Sequence, residues 1–172
     1  MTQADRCAPS DPTPGVMKLM VDTNIADDLL VRLLLLADLR AAVSSGRLEL
    51  LVTHLQIDEV METPENKSER RDALVNVLAS LPARRVATYG FVVGRTRLGF
   101  GMLASSEHSQ LYDELISGNI RHQEDAILIL TAAYFWADIL SNNTKDMPRM
   151  AKRVGIRSFT TREFLDLLPR LR

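Results

Sequence analysis

The sequence predicts an α/β protein with a central parallel sheet flanked by helices, and three observations lead there. Short apolar runs, KLMVD (18–22), RLELLVT (47–53), DILSN (138–142) and IRSFT (156–160), alternate with longer stretches of helical periodicity. Strands that alternate with helices form parallel sheets covered on both faces. The segment QEDAILILTAAYFWA (123–137) is apolar nearly all round, as a helix buried in the middle of such a fold must be. A chain of 172 residues with 46% hydrophobic residues is long enough to bury one sizeable core.

In chain order, residues 1–16 carry three prolines and no apolar stretch, and read as a flexible N-terminal tail ahead of a single domain over 17–172. KLMVD is the first strand. Residues 24–44 read as one long helix that stops at Ser44-Ser45-Gly46, with Gly46 as its C-terminal cap. The second strand, 47–53, is followed by a helix over 55–63 that Pro64 ends, and by a helix over 65–81 with one apolar face. Residues 85–93 are β-prone, 94–105 form a glycine-punctuated loop or short helix, and 105–117 form a helix closed by Gly118. After the buried helix over 123–137 come a strand (138–142), a helix (145–155), a strand (156–160) and a last helix (162–168).

Composition narrows the function. Lys plus Arg (21) nearly balances Asp plus Glu (22), so no whole-molecule field draws in polyanions, and a nucleic-acid partner needs a local basic patch. The single cysteine, Cys7, excludes an internal disulfide framework and points to a reducing cytoplasm. One Cys and three His argue against a zinc site. The most apolar stretch, 29–43, contains Arg32, Asp38 and Arg40, so no membrane span is expected.

The chemistry gathers at strand ends. Asp22 closes the first strand, and a buried charge there is costly unless something pairs with it. It either caps the next helix or holds a cation. In parallel sheets ligands bind outside the carboxyl ends of the strands, which is where Asp22, Asn142 and Asn143 fall. Asp138 begins its strand, about 16 Å from that edge at ~3.3 Å per residue, and is excluded from the site.

Asp125 stands in the first turn of a helix, where the macrodipole favours a carboxylate in any case; Asp146 has the same position on a later helix. Of the neighbours Asp58 and Glu59, the longer arm of Glu59 reaches further and Asp58 reads as solvated. Asp27 and Asp28 read as solvated helix face, and His54 and His122 as structural or surface groups. Between Ala73 and Ser106 there is no acid, while Arg84, Arg85, Arg95 and Arg97 are interleaved with Tyr89, Phe91 and Phe100. Arginines can grip phosphates and aromatics can stack on unpaired bases, so this segment is an RNA-binding candidate; a dimer interface explains it as well. The run Arg149, Lys152, Arg153, Arg157 reads as a solvated face.

The motifs VDTNI (21–25), QIDEV (56–60), EDAILILTAA (124–133) and ADILSNNTKDM (137–147), in that order, resemble those of PIN domains, and more closely the VapC-type toxin ribonucleases. The resemblance runs from Met17 through the closing IRSFTTREFLDLL (156–168). It implies a three-layer PIN-like fold and an RNA-cleaving site holding Mg²⁺ or Mn²⁺. Asp22, Glu59, Asp125 and Asp146 are then the metal-binding and catalytic acids, with Thr23, Asn24, Asn143 and Thr144 orienting them from behind. Many PIN domains have an Asp immediately after the later strand, where this chain has Asn143-Thr144. The implied partners are an RNA substrate, an antitoxin protein and a second copy of the chain. A non-cleaving PIN-like scaffold and a housekeeping RNA-processing nuclease remain alternatives. Phosphotransfer on Asp22 wants a second acid two residues on, where this chain has Asn24.

Overall fold

The computed structural model describes residues 15–90, 96, 99–103 and 105–171. The elements run β1 (Met17–Val21), α1 (Ile25–Val31), α2 (Leu33–Ser44), β2 (Leu48–Val52), α3 (Leu55–Met61), α4 (Ser68–Ser80) and β3 (Ala83–Arg85). They continue with β4 (Thr88–Tyr89), β5 (Gly101–Met102), α5 (Ser106–Ile116), α6 (Gln123–Tyr134), β6 (Asp138–Leu140), α7 (Asp146–Arg153), β7 (Ser158–Phe159) and α8 (Thr161–Leu167). Five strands pair in the order β3-β2-β1-β6-β7, all parallel. The two-residue strands β4 and β5 form a separate parallel pair.

The period-two alternation of side chains along a strand divides the core in two. Leu19, Val21, Leu50 and Leu140 join Ile25, Leu29, Leu39, Leu78 and Phe164, from α1, α2, α4 and α8, on one side of the sheet. Met20, Leu51 and Ile139 join Leu115, Ile129 and Met150, from α5, α6 and α7, on the other. Three layers result. Among the described residues no helix is long and apolar enough to cross a membrane.

Several boundaries differ from the sequence reading, for local reasons. The helix expected over 24–44 breaks at Arg32, whose backbone leaves the helical region (φ −121°, ψ 72°). The break lets α1 pack on α4 while α2 turns onto β2. Arg85 closes β3 of the main sheet, so the β-prone run over 85–93 is not one strand; residues 91–95 lie outside the described set. The loop expected over 94–105 contains β5.

Helix α6 stops at Tyr134 rather than at residue 137, because Trp136 takes a left-handed conformation (φ 56°). The Ala137 N–H then reaches Ala132 O and the Trp136 N–H reaches Ala133 O, a Schellman closure built without its usual glycine. Helix α5 likewise ends on left-handed Ser117, one residue before the expected Gly118. The first fourteen residues of the predicted tail lie outside the described set.

Two consequences of topology place the site. Strands β2 and β3 build outward from one side of β1, and β6 and β7 from the other, so the connections diverge at the C-terminal end of the β1–β6 pair. Such a switch point is where open parallel sheets form a crevice. The register Leu19↔Asp138 and Val21↔Leu140 carries past the last paired residues, with the Asp22 N–H donating to Leu140 O at 2.9 Å. Asp22 and Ser141 therefore leave the sheet side by side. At the opposite end, the Asp138 carboxylate accepts hydrogen bonds from the Arg157 backbone N–H (2.8 Å), Nε (3.0 Å) and Nη2 (2.6 Å), clamping the entry of β6 to that of β7.

Removing that clamp hands the exposed Arg157 N–H over to water. Asp138→Ala is expected to lower stability by about 0.5–1.5 kcal/mol. Thermal unfolding checks this, and a midpoint unchanged from the parent chain would show the clamp to be energetically idle.

Candidate active site

Asp22 is 8% exposed, and its carboxylate is held from three directions. The Thr23 backbone N–H donates to Oδ1 at 2.7 Å, while Asn24 Nδ2 (2.7 Å) and Ser141 Oγ (2.6 Å) both donate to Oδ2. Burial is the largest influence on this group and pushes its pKa up to about 6, with the charge of Glu59 adding to it and the three hydrogen bonds opposing it. A carboxylate offers about four lone-pair positions. Three are used, which leaves one, on Oδ1.

Ser141 is the hub. Besides donating to Asp22, its oxygen accepts from Asn24 Nδ2 (3.1 Å) and from the Asn143 N–H (3.0 Å), which fills a hydroxyl's capacity. Asn24 spans the gap between strands, since its Oδ1 also accepts the Asn142 N–H at 2.9 Å. Helix α1 begins after Asn24 with no side-chain cap bond, so Asp22 does not cap it.

Glu59 acts on this carboxylate, and Asp125 feels Asp22, Glu59 and Asp146 together. Asp125, in the first turn of α6, is half-buried, and its pKa is pushed up to about 7. Burial contributes most, followed by the charges of Asp22, Glu59, Asp146 and Glu124. All four acids named from the sequence thus lie within electrostatic reach of one point. Glu59 is exposed on α3. Asp146 opens α7 and is already engaged, with Arg149 Nη2 at 3.2 Å from Oδ1 and His122 Nε2 at 3.9 Å from Oδ2. Among the described residues no three His, Cys, Asp or Glu side chains converge closely enough to form a ready-made metal shell.

The supporting residues divide differently from expectation. Asn24 does contact the Asp22 carboxylate, whereas Thr23 meets it through its backbone N–H. Asn143 turns to α7, its Oδ1 accepting the Lys145 (3.2 Å) and Asp146 (3.0 Å) N–H groups, so it places Asp146 rather than touching Asp22. Thr144 is exposed.

Two contributors were missed. Ser141 has no motif of its own, and only the strand register reveals it. Gln56 is 1% exposed; its Nε2 donates to Val21 O (2.8 Å), and its Oε1 accepts from Thr53 N (2.8 Å) and Oγ1 (2.8 Å). That anchors α3 to the end of β1 one turn before Glu59. Gln56 lies at i−3 from Glu59, on the same helix face, and this spacing was the available signal.

Asp28 is no idle surface acid. Its carboxyl is held below the usual range by the Thr161 side chain and by Asn142, whose Nδ2 donates to Oδ2 at 2.9 Å. Asp27 pairs with Arg70 at 2.8 Å.

Of the predicted RNA-binding arginines, Arg84 and Arg85 are described, and they meet different neighbours. Arg84 Nε lies 2.7 Å from Glu49, and its guanidinium sits over Phe135, 5.5 Å from the ring centre. Phe135 is ten residues beyond Asp125, about 15 Å along the axis at 1.5 Å per residue, so Arg84 faces the far end of α6. Arg85 is exposed, near His54 and Phe100. Arg95 and Arg97 lie outside the described residues.

The raised pKa of Asp125 carries a stability signature. Between pH 3.8 and about 7 the metal-free fold holds a proton that the unfolded chain has released, so stability falls as pH rises through that window. Asp125→Asn is expected to raise the unfolding midpoint of metal-free protein at pH 8 by a few degrees, with the gain vanishing near pH 4. Paired thermal melts at the two pH values check this, and a variant less stable at pH 8 would contradict the mutual repulsion.

No protein-family model matches the chain, and no curated protein matches it. Solved structures do. The fold is similar to that of VapBC-1 from nontypeable Haemophilus influenzae, at 13% identity and a TM-score of 0.49, over 84% of this chain and 98% of that one. It is also similar to VapBC2 from Rickettsia felis bound to a DNA fragment from their promoter, at 14% identity and a TM-score of 0.46, with the same coverage.

Proposed function

We propose that the chain is a divalent-metal-dependent ribonuclease, cleaving RNA phosphodiester bonds as the toxin of a type II toxin–antitoxin pair. The observation that carries the nuclease reading is the buried Asp22 carboxylate, held by three donors at the switch point and facing acids that raise the pKa of Asp125. Carboxylates brought together at such a cost suit a cation that reverses the local field. The donor set is all oxygen, which fits Mg²⁺ or Mn²⁺; Mg²⁺ is commonly held by one or two carboxylates plus water, so a closed three-ligand shell is not required. Asp22 and Asp125 are the ligands in this reading, with Glu59 and Asp146 at the rim.

When bound, the ion supplies Lewis acidity and a nucleophilic water to phosphoryl chemistry. The chain's own groups set the geometry. Asn24 and Ser141 keep the Asp22 carboxylate in one orientation, Gln56 seats the helix that carries Glu59, and Asn143 accepts the Asp146 N–H at the start of the next. The toxin role, and with it an antitoxin partner and a cytoplasmic setting, is supported by the order of the four sequence motifs. Pairing of two copies belongs to the same reading, and Val31 (80% exposed) and Leu34 (82%) offer apolar surface for it. The engagement of Asp146 by Arg149 favours a second reading, a scaffold that binds RNA without cutting.

Cleavage of single-stranded RNA by purified protein separates the two readings. Activity is expected with Mg²⁺ or Mn²⁺ and not with EDTA, and cleavage undiminished in chelator would sink the metal mechanism. Asp22→Asn and Asp125→Asn are expected to reduce cleavage to background while the chain stays folded by circular dichroism. Ser141→Ala, which only loosens Asp22, is expected to weaken metal affinity or rate by roughly 10–100-fold. Expression in a bacterium is expected to arrest growth, with relief by the cognate antitoxin; harmless expression of active enzyme would favour RNA processing instead.

A further inference from the structure

Helix α3 has two working sides. Glu59 faces the acid cluster, whereas Asp58, one residue earlier and about 100° round the helix, lines a separate cleft of about 310 Å³. The cleft runs between α3 and the connection after β3, and is walled by His54, Ile57, Asp58, Arg85 and Phe100. It opens at the same sheet edge as the site, because Thr53, which also lines it, is the first residue past β2. Its size is at the lower end of small-ligand pockets, roughly 300–1,000 Å³.

The lining is selective. Phe100 is 52% exposed, a large aromatic surface open to solvent, and the His54 ring sits 5.7 Å from it at an angle of 52°. Ile57 supplies an apolar wall, Arg85 a donor and Asp58 an acceptor. A phosphate is disfavoured by the carboxylate, and an aliphatic group by both charges. A flat, uncharged heterocycle with N–H donors and ring or carbonyl acceptors satisfies every wall at once. We propose that this cleft receives one unpaired nucleobase of the RNA, stacked on Phe100 and read at its edge by Arg85. This rests on the ribonuclease reading and assigns it a base-holding subsite beside the acids. Sequence-specific RNA recognition works largely through splayed bases stacked on aromatic and arginine planes.

The test uses the full chain carrying Asp125→Asn, so that RNA stays intact in Mg²⁺. Binding of a fluorescent single-stranded RNA is followed by anisotropy, with each nucleotide in turn replaced by an abasic one. Phe100→Ala is expected to weaken binding roughly tenfold, and Phe100→Tyr to restore it. One abasic position is expected to cost the Phe100 protein a similar factor and to cost the Phe100→Ala protein nothing. Unchanged affinity in Phe100→Ala, or abasic losses that persist in it, would overturn the proposal. So would a loss of self-association by light scattering in Phe100→Ala with RNA affinity intact, which would make the cleft a protein interface. Failure of the Asp125-containing chain to cut RNA with either metal would overturn the nuclease reading and leave the binding comparison readable. Normal cutting with an indifferent Phe100 would overturn the pocket alone.

Discussion

A carboxylate out of water is costly, and the arrangement around Asp22 is organised by that fact. The compensation comes from a backbone N–H, an amide and a hydroxyl, none of them charged. Neutral donors orient a carboxylate without cancelling its charge, whereas a salt bridge would satisfy it outright. The positions of α1, of the turn after β6 and of the Ser141 side chain all follow from meeting this one requirement. The parallel β1–β6 register makes it possible, because only that pairing brings residues 119 apart in sequence to 2.6 Å.

The acids differ in how far their charge is compensated. Asp22 is buried and hydrogen-bonded, Asp125 is half-buried among repelling charges, Asp146 has an arginine and a histidine beside it, and Glu59 reaches solvent. A cation entering this set would gain most from the first two. That gradient gives the cluster a deep end and a rim, so its members are not interchangeable.

The layers and the parallel sheet were legible from pattern: short runs buried on both faces, alternating with helices, and one helix apolar all round cannot be placed otherwise. The positions of Asp22, Asp125 and Asp146 at element ends were legible because the pattern already located those ends, whereas Glu59 lies within α3. The break at Arg32 was not, since both sides of it are strong helix formers and tertiary packing on α4 and β2 decides the matter. The stop at Trp136 escaped because a left-handed tryptophan carries no local signal. Ser141 and Gln56 look like ordinary polar residues until the fold brings them to Asp22 and to Val21 O. The partners of Arg84, Glu49 and Phe135, were not legible either, because only the strand pairing and the end of α6 bring them to it.

The network behind Asp22 does not end at β6. Asn142 accepts the Thr161 N–H at 3.0 Å as α8 begins, and donates to Asp28 on α1. The site therefore draws on β1 and on α8 together, and no fragment that stops before β6 contains it. A chain in the course of synthesis carries Asp22, Glu59 and then Asp125 before the partners that seat them exist, and the arrangement forms only when β6 docks beside β1 and α8 follows.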